Sequence, residues 1–246
     1  MNILTIITPN WVDSHLARWL RYVQKNCPDA DLLLYYVGGN GIERDFPGLR
    51  EQFKQVIELP LEGRAQFNRI RMSAVTDFKV QSCLYLDADC DVLESLAAIP
   101  EQTVGKSLAF VDSPAIHKSW SELCRKLDKD ESWSGWVGNN GLLWMTEDWG
   151  ERYDKAVKAV EDSGISPRII GTVAFNWMLR ENDGWAKLPY NYGVIWWDSD
   201  NFHGAKVVQY CNDNGQKKRV TMEKEWRDSR VIEISGKPTQ GASQKG

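Results

Sequence analysis

The feature of the sequence that most constrains the fold is the alternation of apolar runs with amphipathic segments over residues 1–90. Four apolar runs predict buried strands: NILTIIT (2–8), LLLYYV (32–37), VIELP (56–60) and CLYL (83–86). Two sets of apolar residues recur at helical spacing between these runs: Leu16, Leu20, Val23 and Cys27, then Phe67, Ile70, Ala74 and Phe78. This order predicts an α/β fold with a mixed, mostly parallel central sheet flanked by helices.

The second half of the chain is less regular but continues to mix strands with helices. Short apolar runs predict further strands at 108–112, 142–145, 194–197 and 207–210. Helical spacing of apolar residues predicts two helices that end near Gly164 and Gly184. Because no linker interrupts this pattern, we expect one domain over residues 1–234. Residues 235–246 contain no apolar anchor, so we expect a disordered tail there.

Charge and composition narrow the classes of function. The chain has 246 residues and a formal net charge of −4, so it lacks the basic balance typical of nucleic-acid or membrane-surface proteins. Its start does not resemble a signal peptide, and no apolar run approaches the about 18–20 residues that span a bilayer. The five cysteines form no C-x-x-C pair, which predicts a cytoplasmic protein with free thiols and no structural zinc. Twelve tryptophans predict a thick core or stacking platforms near a ligand.

An acidic segment directly follows the fourth predicted strand, in SCLYLDADCDVL (82–93). Ligands of open α/β sheets bind beyond the carboxyl ends of the strands. If the segment is extended, Asp87 and Asp89 point the same way and repel each other unless a cation lies between them. Oxygen ligands of this kind suit Mg²⁺ or Mn²⁺, which keep positions open for phosphate oxygens. The pair Asp128/Asp130 in KLDKDE, by contrast, follows no apolar strand and is expected at the surface.

The segment CLYLDADCDVL resembles the D-x-D segment of nucleotide-sugar-dependent glycosyltransferases of the GT-A fold. It is most similar to the family-8-like group, which includes glycogenin and lipopolysaccharide galactosyltransferases. Further matches follow the family's order along the chain: ITPN (7–10), GRAQFNRIRMSAV (63–75), GNNGLLWM (138–145), LPYNYG (188–193) and VVQYCNDNGQKK (207–218). The resemblance implies a metal-dependent transferase that moves a sugar from a nucleotide-sugar donor, a UDP-sugar in the first place, to an acceptor hydroxyl. It also implies Mn²⁺ or Mg²⁺ as cofactor and retention of anomeric configuration.

The resemblance further implies roles for individual residues. Thr8, Pro9 and Asn10 match the segment that holds the nucleobase and ribose. Asp87 and Asp89 match the metal-binding carboxylates, and Ala88 lies between them beside the donor. Asn139 and Asn140 match the segment beside the donor sugar. The candidates for contacts with the diphosphate are basic residues: Arg64, Arg69, Arg71, Lys217 and Lys218.

Several of these residues also have ordinary structural interpretations that the sequence leaves open. The three arginines fit a solvated helix face, and the two lysines fit a solvated loop. Asn140 precedes Gly141, and Asn-Gly is a strong signal for a hairpin turn.

Two positions depart from the family pattern. The family's Asp-Gln pair aligns with Gly171-Thr172, and its late metal-binding His aligns with Gln209. Gln209 is therefore expected either to act as a weaker, neutral metal ligand or to hydrogen-bond a neighbouring loop. His203 is a second candidate for the missing metal ligand. Asp198, like Asp112 and Asp148, is available as a carboxylate base if the enzyme inverts configuration.

Two other function classes remain open at this stage. A nucleotidyltransferase also binds a metal and a nucleotide, but it usually has a glycine-rich basic loop after its first strand, which TPNWVDS lacks. A non-catalytic nucleotide-sugar-binding protein would keep the binding residues without turnover. The acceptor is equally open: a glycan, a protein, a lipid-linked sugar or a modified base in DNA. The acidic composition weakly disfavours DNA, because contacts with its phosphates need cations.

Overall fold

The fold is described from a computed structural model that covers residues 1–62, 64–112, 124–126, 129, 136–164, 170–196, 202, 204–211, 215 and 217. Within these residues ten strands are present: β1 Asn2–Ile7, β2 Asp31–Val37, β3 Gln55–Leu59, β4 Cys83–Leu86, β5 Cys90–Val92, β6 Leu108–Asp112, β7 Gly138–Met145, β8 Trp185–Leu188, β9 Val194–Ile195 and β10 Val207–Gln209. The α-helices are α1 Ala17–Asn26, α2 Ile42–Asp45, α3 Arg64–Met72, α4 Ala74–Asp77, α5 Ile99–Gln102, α6 Gly150–Asp162 and α7 Ile170–Glu181. The predicted tail at 235–246 lies outside the described residues.

Seven of the strands form one large sheet in the order β3-β2-β1-β4-β7-β6-β8. The pairs β1–β2, β2–β3, β1–β4 and β6–β8 are parallel, whereas β7 runs antiparallel to both β4 and β6. A smaller sheet has the order β5-β10-β9, with β10 antiparallel to β5 and parallel to β9. The predicted α/β class with a mixed, mostly parallel sheet is confirmed.

Both faces of the large sheet are buried, which explains why its strands read as uninterrupted apolar runs. On one face, Leu33 and Tyr35 of β2 belong to a core that includes Tyr153 of α6 and Phe175 of α7. On the other face, the neighbouring residues of β2 pack in a second core with Trp19 of α1. None of the helices in the described part of the chain has the length and apolarity needed to cross a membrane.

The structure differs from the sequence prediction in several elements. The predicted helix over Phe67–Phe78 is two helices, α3 and α4, separated at Ser73. Strand β7 begins at Gly138, four residues before the predicted start, so Asn140-Gly141 lies within a strand and not in a hairpin turn. The sequence also did not predict strands β5 and β8 or the short helices α2 and α5.

The third carboxylate of the acidic segment has a structural role. Asp91 in β5 accepts three hydrogen bonds from Arg18 of α1, with distances of 3.0 and 3.1 Å from Nε and 2.7 Å from Nη2. The Asp91 side chain is 1% exposed and that of Arg18 12%. This buried ion pair ties α1 to the strand that follows the acidic turn, because neither charge can be left unpaired at low cost.

We predict that Asp91→Ala lowers the free energy of unfolding by about 3 kcal/mol, since it leaves a buried guanidinium without its carboxylate. Urea denaturation of the purified protein measures this loss. Arg50→Ala is the control, because Arg50 pairs with Glu58 at the surface with 52% and 38% of the side chains exposed; it should cost about 0.5 kcal/mol or less. Equal losses in both variants would contradict a stabilising role for the buried pair.

Candidate active site

A cleft of about 740 Å³ lies at the carboxyl ends of β1, β2 and β4. Parallel strands end at the same edge of a sheet, and this edge is where ligands of open α/β folds bind. The cleft is lined by residues that follow β1, by the ends of β2 and β4, and by α3: Thr8, Pro9, Asn10, Trp11, Val37, Gly38, Asn68, Arg71, Tyr85, Asp87, Ala88 and Asp89 among them. The six sequence candidates at 8–10 and 87–89 therefore all line one cleft.

The segment after β1 forms one wall of the cleft. Pro9 occupies the first position of a 3₁₀ turn over Pro9–Trp11, where its fixed φ angle suits a helical start. Trp11 is 48% exposed, and Leu61, which follows β3 and also lines the cleft, is 58% exposed. Neither residue was predicted from the sequence, although a tryptophan directly after the predicted nucleobase segment was a usable signal. Their exposed apolar surfaces suit contact with a planar ring.

Asp87 and Asp89 lie on a tight turn and not on the extended segment expected from their alternation. The Cys90 amide donates to the Asp87 carbonyl at 3.0 Å, which closes a four-residue turn between β4 and β5. Backbone bonds hold both ends of the turn: the Asp87 amide donates to the Gly141 carbonyl at 2.9 Å, and the Tyr210 amide donates to the Asp89 carbonyl at 3.0 Å. The turn forms because the chain leaves the large sheet after Leu86 and enters the small one at Cys90.

The Asp87 carboxylate is surrounded by hydrogen-bond donors. The Tyr85 hydroxyl donates to Oδ1, Gln209 Nε2 donates to Oδ2 at 3.0 Å, and Arg71 Nη2 lies 3.6 Å from Oδ1. Burial raises the pKa of Tyr85 well above its ordinary value, and Asp87 raises it further, so the phenol stays protonated and donates. These contacts stabilise a negative charge at Asp87 in a largely buried position.

Arg71 is a buried cation that links α3 to the acidic turn. Its side chain is 9% exposed, and its guanidinium lies 4.4 Å from the centroid of the Tyr85 ring. Nη1 donates to the Asn140 carbonyl at 2.6 Å and Nε donates to the Phe67 carbonyl at 3.2 Å. Burial alone would lower the pKa of Arg71, but the acidic groups around it, Asp87 and Asp89 among them, together raise it. A solvated helix face, the alternative interpretation, does not describe this arginine.

The other basic candidates have different surroundings. Arg69 pairs with Asp154 of α6 at 2.8 Å and donates to the Ser73 hydroxyl, and it does not line the cleft. The Arg64 backbone begins α3, but its side chain lies outside the described residues. Lys217 is exposed and does not line the cleft. Lys218 lies outside the described residues. Arg71 is thus the basic candidate that the structure places at the acidic turn.

Asn139 and Asn140 lie on β7 next to the cleft without lining it. Asn140 Nδ2 donates to Asn68 Oδ1 at 3.1 Å, and Asn68 does line the cleft. Asn139 is buried, and its Nδ2 donates to Gln209 Oε1 at 2.9 Å. Both asparagines therefore reach the cleft through a second side chain, which the sequence did not reveal because each partner lies about 70 residues away along the chain.

The chemistry of the acidic turn fits a hard divalent cation. Asp87 and Asp89 offer carboxylate oxygens, which Mg²⁺ and Mn²⁺ prefer. Each oxygen of Asp87 keeps a lone pair beyond its present hydrogen bonds, since a carboxylate accepts about four. Among the described residues no group of three His, Cys, Asp or Glu side chains is placed to hold a metal. His203 and Asp198 lie outside the described residues.

The similarity of this chain to known proteins lies in its fold. No protein-family model and no curated protein matches the chain at the level of sequence. Solved structures do match. The galactosyltransferase LgtC, in complex with donor and acceptor sugar analogs, aligns with a TM-score of 0.64 and 13% identity over 87% of this chain and 88% of that chain. The chain has the GT-A fold.

Two further solved structures agree with this fold. The glycosyltransferase GlyE of Streptococcus pneumoniae, in its apo form, aligns with a TM-score of 0.61 and 14% identity over 86% of this chain and 54% of that chain. Mouse xyloside xylosyltransferase 1, also in apo form, aligns with a TM-score of 0.52 and 11% identity over 87% of this chain and 99% of that chain. The predicted GT-A architecture is confirmed, and at these identities the likeness concerns the fold alone.

We predict that Arg71→Leu weakens binding of UDP at least about 10-fold and binding of uridine far less, because the lost guanidinium lies beside Asp87 and not beside the segment after β1. Isothermal titration calorimetry with both ligands measures the difference. Arg69→Ala is the control and should leave both affinities unchanged, since Arg69 pairs with Asp154 outside the cleft. Equal losses for UDP and uridine in Arg71→Leu would remove this arginine from the diphosphate site.

Proposed function

We propose that this protein is a glycosyltransferase that moves one sugar from a nucleotide-sugar donor, a UDP-sugar in the first place, to an acceptor hydroxyl. The observation that carries the proposal is the position of Asp87 and Asp89 in a GT-A fold. Both lie on the turn after β4 and line the same cleft as Thr8, Pro9 and Asn10 after β1. In this arrangement a nucleoside diphosphate lies across the cleft, with its nucleobase beside Thr8, Pro9 and Asn10 and its diphosphate at the acidic turn.

Some residues of the cleft bind the nucleoside, and others stabilise the charge of the diphosphate. Thr8, Pro9 and Asn10 hold the nucleobase and ribose, with the exposed face of Trp11 beside them. A divalent cation held by Asp87 and Asp89 would neutralise charge that develops on the departing nucleoside diphosphate. Arg71 lies at the same turn, where its Nη2 is 3.6 Å from Asp87 Oδ1 and adds a positive charge beside the expected diphosphate. The cleft thereby favours departure of the diphosphate from the sugar.

Retention of anomeric configuration agrees with the carboxylates that the structure describes. An inverting enzyme needs a carboxylate base at the acceptor, and the cleft lining contains only Asp87 and Asp89 among the described residues. Asp112 accepts from the Val137 amide at 3.1 Å and lies 3.5 Å from Lys187. Asp148 accepts from the Gly150 amide at 2.6 Å at the start of α6. Both of these candidate bases are thus occupied in structural contacts outside the cleft lining.

The structure gives no support to a nucleotidyltransferase. After β1 the chain forms a 3₁₀ turn over Pro9–Trp11 and a π-helical turn over Val12–Leu16, with no glycine in either. A glycine-rich loop that wraps a triphosphate with backbone amides is therefore missing at this strand end. Turnover of the donor distinguishes the proposed enzyme from a protein that only binds nucleotide sugars.

We predict that Asp89→Asn lowers turnover of the preferred nucleotide sugar at least about 100-fold, because it removes one of two carboxylate ligands from the acidic turn. A panel of UDP-sugars with Mn²⁺ is first screened by thermal shift, and release of UDP is then measured with and without glycan, protein, lipid-linked and nucleobase acceptors.

Asp31→Asn is the matched control for that variant. Asp31 is the second Asp of another Asp-x-Asp pair, but it begins β2 and pairs with Lys54 at 2.7 Å. It should retain the activity and melting temperature of the wild type. Full turnover by a folded Asp89→Asn protein, or turnover by the wild type in excess chelator, would refute the proposed metal site.

A further inference from the structure

A chain of hydrogen bonds connects β7 with the acidic turn through two buried amide side chains. The Gly141 amide donates to Asn139 Oδ1 at 2.8 Å, and Asn139 Nδ2 donates to Gln209 Oε1 at 2.9 Å. Gln209 Nε2 then donates to Asp87 Oδ2 at 3.0 Å. Asn139 and Gln209 are each 7% exposed. The chain of bonds ends on one of the two carboxylates that the proposed function assigns to the cation.

The direction of these hydrogen bonds is fixed at both ends. The backbone N–H of Gly141 can only donate, so Asn139 must present its oxygen there and its NH₂ group to Gln209. The Asp87 carboxylate can only accept while it is ionised, so Gln209 must present its NH₂ group there. Turning either amide over would place oxygen against oxygen or NH₂ against NH₂. Gln209 therefore presents Nε2 to the acidic turn and Oε1 to Asn139.

The backbone near Gln209 places its side chain at the acidic turn and leaves room for its amide group. Gln209 is the last residue of β10, where it lies opposite Cys90, the residue that closes the acidic turn. A Cβ atom at position 141 would lie 2.5 Å from Gln209 Nε2, so only glycine leaves room for the amide. The position thus joins the small sheet, β7 and the turn through one side chain.

We propose that Gln209 is a positioning residue, which orients the Asp87 carboxylate by donating a hydrogen bond to it, and that Gln209 is not a ligand of the cation. The inference rests on the proposed function. Of the two roles that the sequence left open for Gln209, it favours the hydrogen bond to a neighbouring segment over the neutral metal ligand. Because Nε2 is the atom presented to Asp87, coordination of a cation at the turn through Oε1 requires the amide to turn over. That loses the hydrogen bond to Asp87 and takes Oε1 away from the buried Asn139 NH₂ group, which costs free energy. Among the described side chains, Asp87 and Asp89 then supply the protein ligands.

Removal of Asn139 distinguishes the two roles of Gln209. If Gln209 positions Asp87, Asn139→Ala loosens Gln209 and weakens Mn²⁺ binding about 10-fold in the presence of UDP, in the same direction as Gln209→Ala. If Gln209 binds the cation, Asn139→Ala releases Oε1 and leaves Mn²⁺ binding unchanged or tighter. Electron paramagnetic resonance of free Mn²⁺ measures each affinity without reference to turnover.

Asn176→Ala is the matched control for loss of a buried amide. Asn176 clamps the Gly138 backbone of β7 through two hydrogen bonds, at 2.6 and 3.1 Å, and it makes no described contact with Asp87 or Gln209. It should reduce stability and leave Mn²⁺ affinity unchanged. The proposal is supported if Mn²⁺ binding is weaker in Asn139→Ala and in Gln209→Ala but unchanged in Asn176→Ala. An unchanged or tighter affinity in Asn139→Ala overturns it.

A metal-free measurement separates this inference from the proposed function. In the presence of chelator, Gln209→Ala and Gln209→Met should each lower the melting temperature of the otherwise wild-type protein by about 2–6 °C. The same substitutions should lower it by clearly less in an Asp87→Asn protein, because the hydrogen bond from Gln209 to the carboxylate is already weakened there. Equal losses in both backgrounds overturn the positioning role. If the wild type binds no Mn²⁺, the proposed metal site fails, and this comparison still decides the role of Gln209.

Discussion

The arrangement of the candidate site depends on the contacts that surround one carboxylate, that of Asp87. Asp87 lies where the chain passes from the large sheet to the small one, and its carboxylate is contacted by Arg71, Tyr85 and Gln209. These partners come from α3, β4 and β10, so the same contacts that stabilise the carboxylate also join the two sheets and the helix that covers them. Removing any one of these donors weakens both the site and the packing around it.

The three carboxylates of the acidic segment have different surroundings and therefore different roles. Asp87 and Asp89 line the cleft, whereas Asp91 is buried in an ion pair with Arg18 of α1. The segment therefore carries two kinds of carboxylate: the first two line the cleft, and the third fixes α1 to β5. The turn at Asp87–Cys90 lies between them and leads the chain from the large sheet into the small one.

The sequence predicted most strands of the large sheet and the position of the acidic segment after β4, because local patterns encode both. Continuous apolar runs specify strands that are buried on two faces, and carboxylates directly after such a run lie at a strand end. It could not predict β5, which has only three residues and pairs with β10 more than a hundred positions later. The contact between Gln209 and Asp87 spans 122 residues and leaves no local signal. The break at Ser73 was missed because the apolar spacing continues across it.

The central claim is that the turn at Asp87 and Asp89 binds a divalent cation together with a nucleoside diphosphate. The most direct measurement is a crystal structure with UDP and Mn²⁺, in which anomalous scattering locates the manganese. The account predicts one manganese peak within coordination distance of Asp87, Asp89 and the diphosphate oxygens, with the uracil beside Thr8–Trp11 and Gln209 still bonded to Asp87. Manganese and UDP bound elsewhere, or UDP in this cleft with no manganese at the turn, would contradict the account.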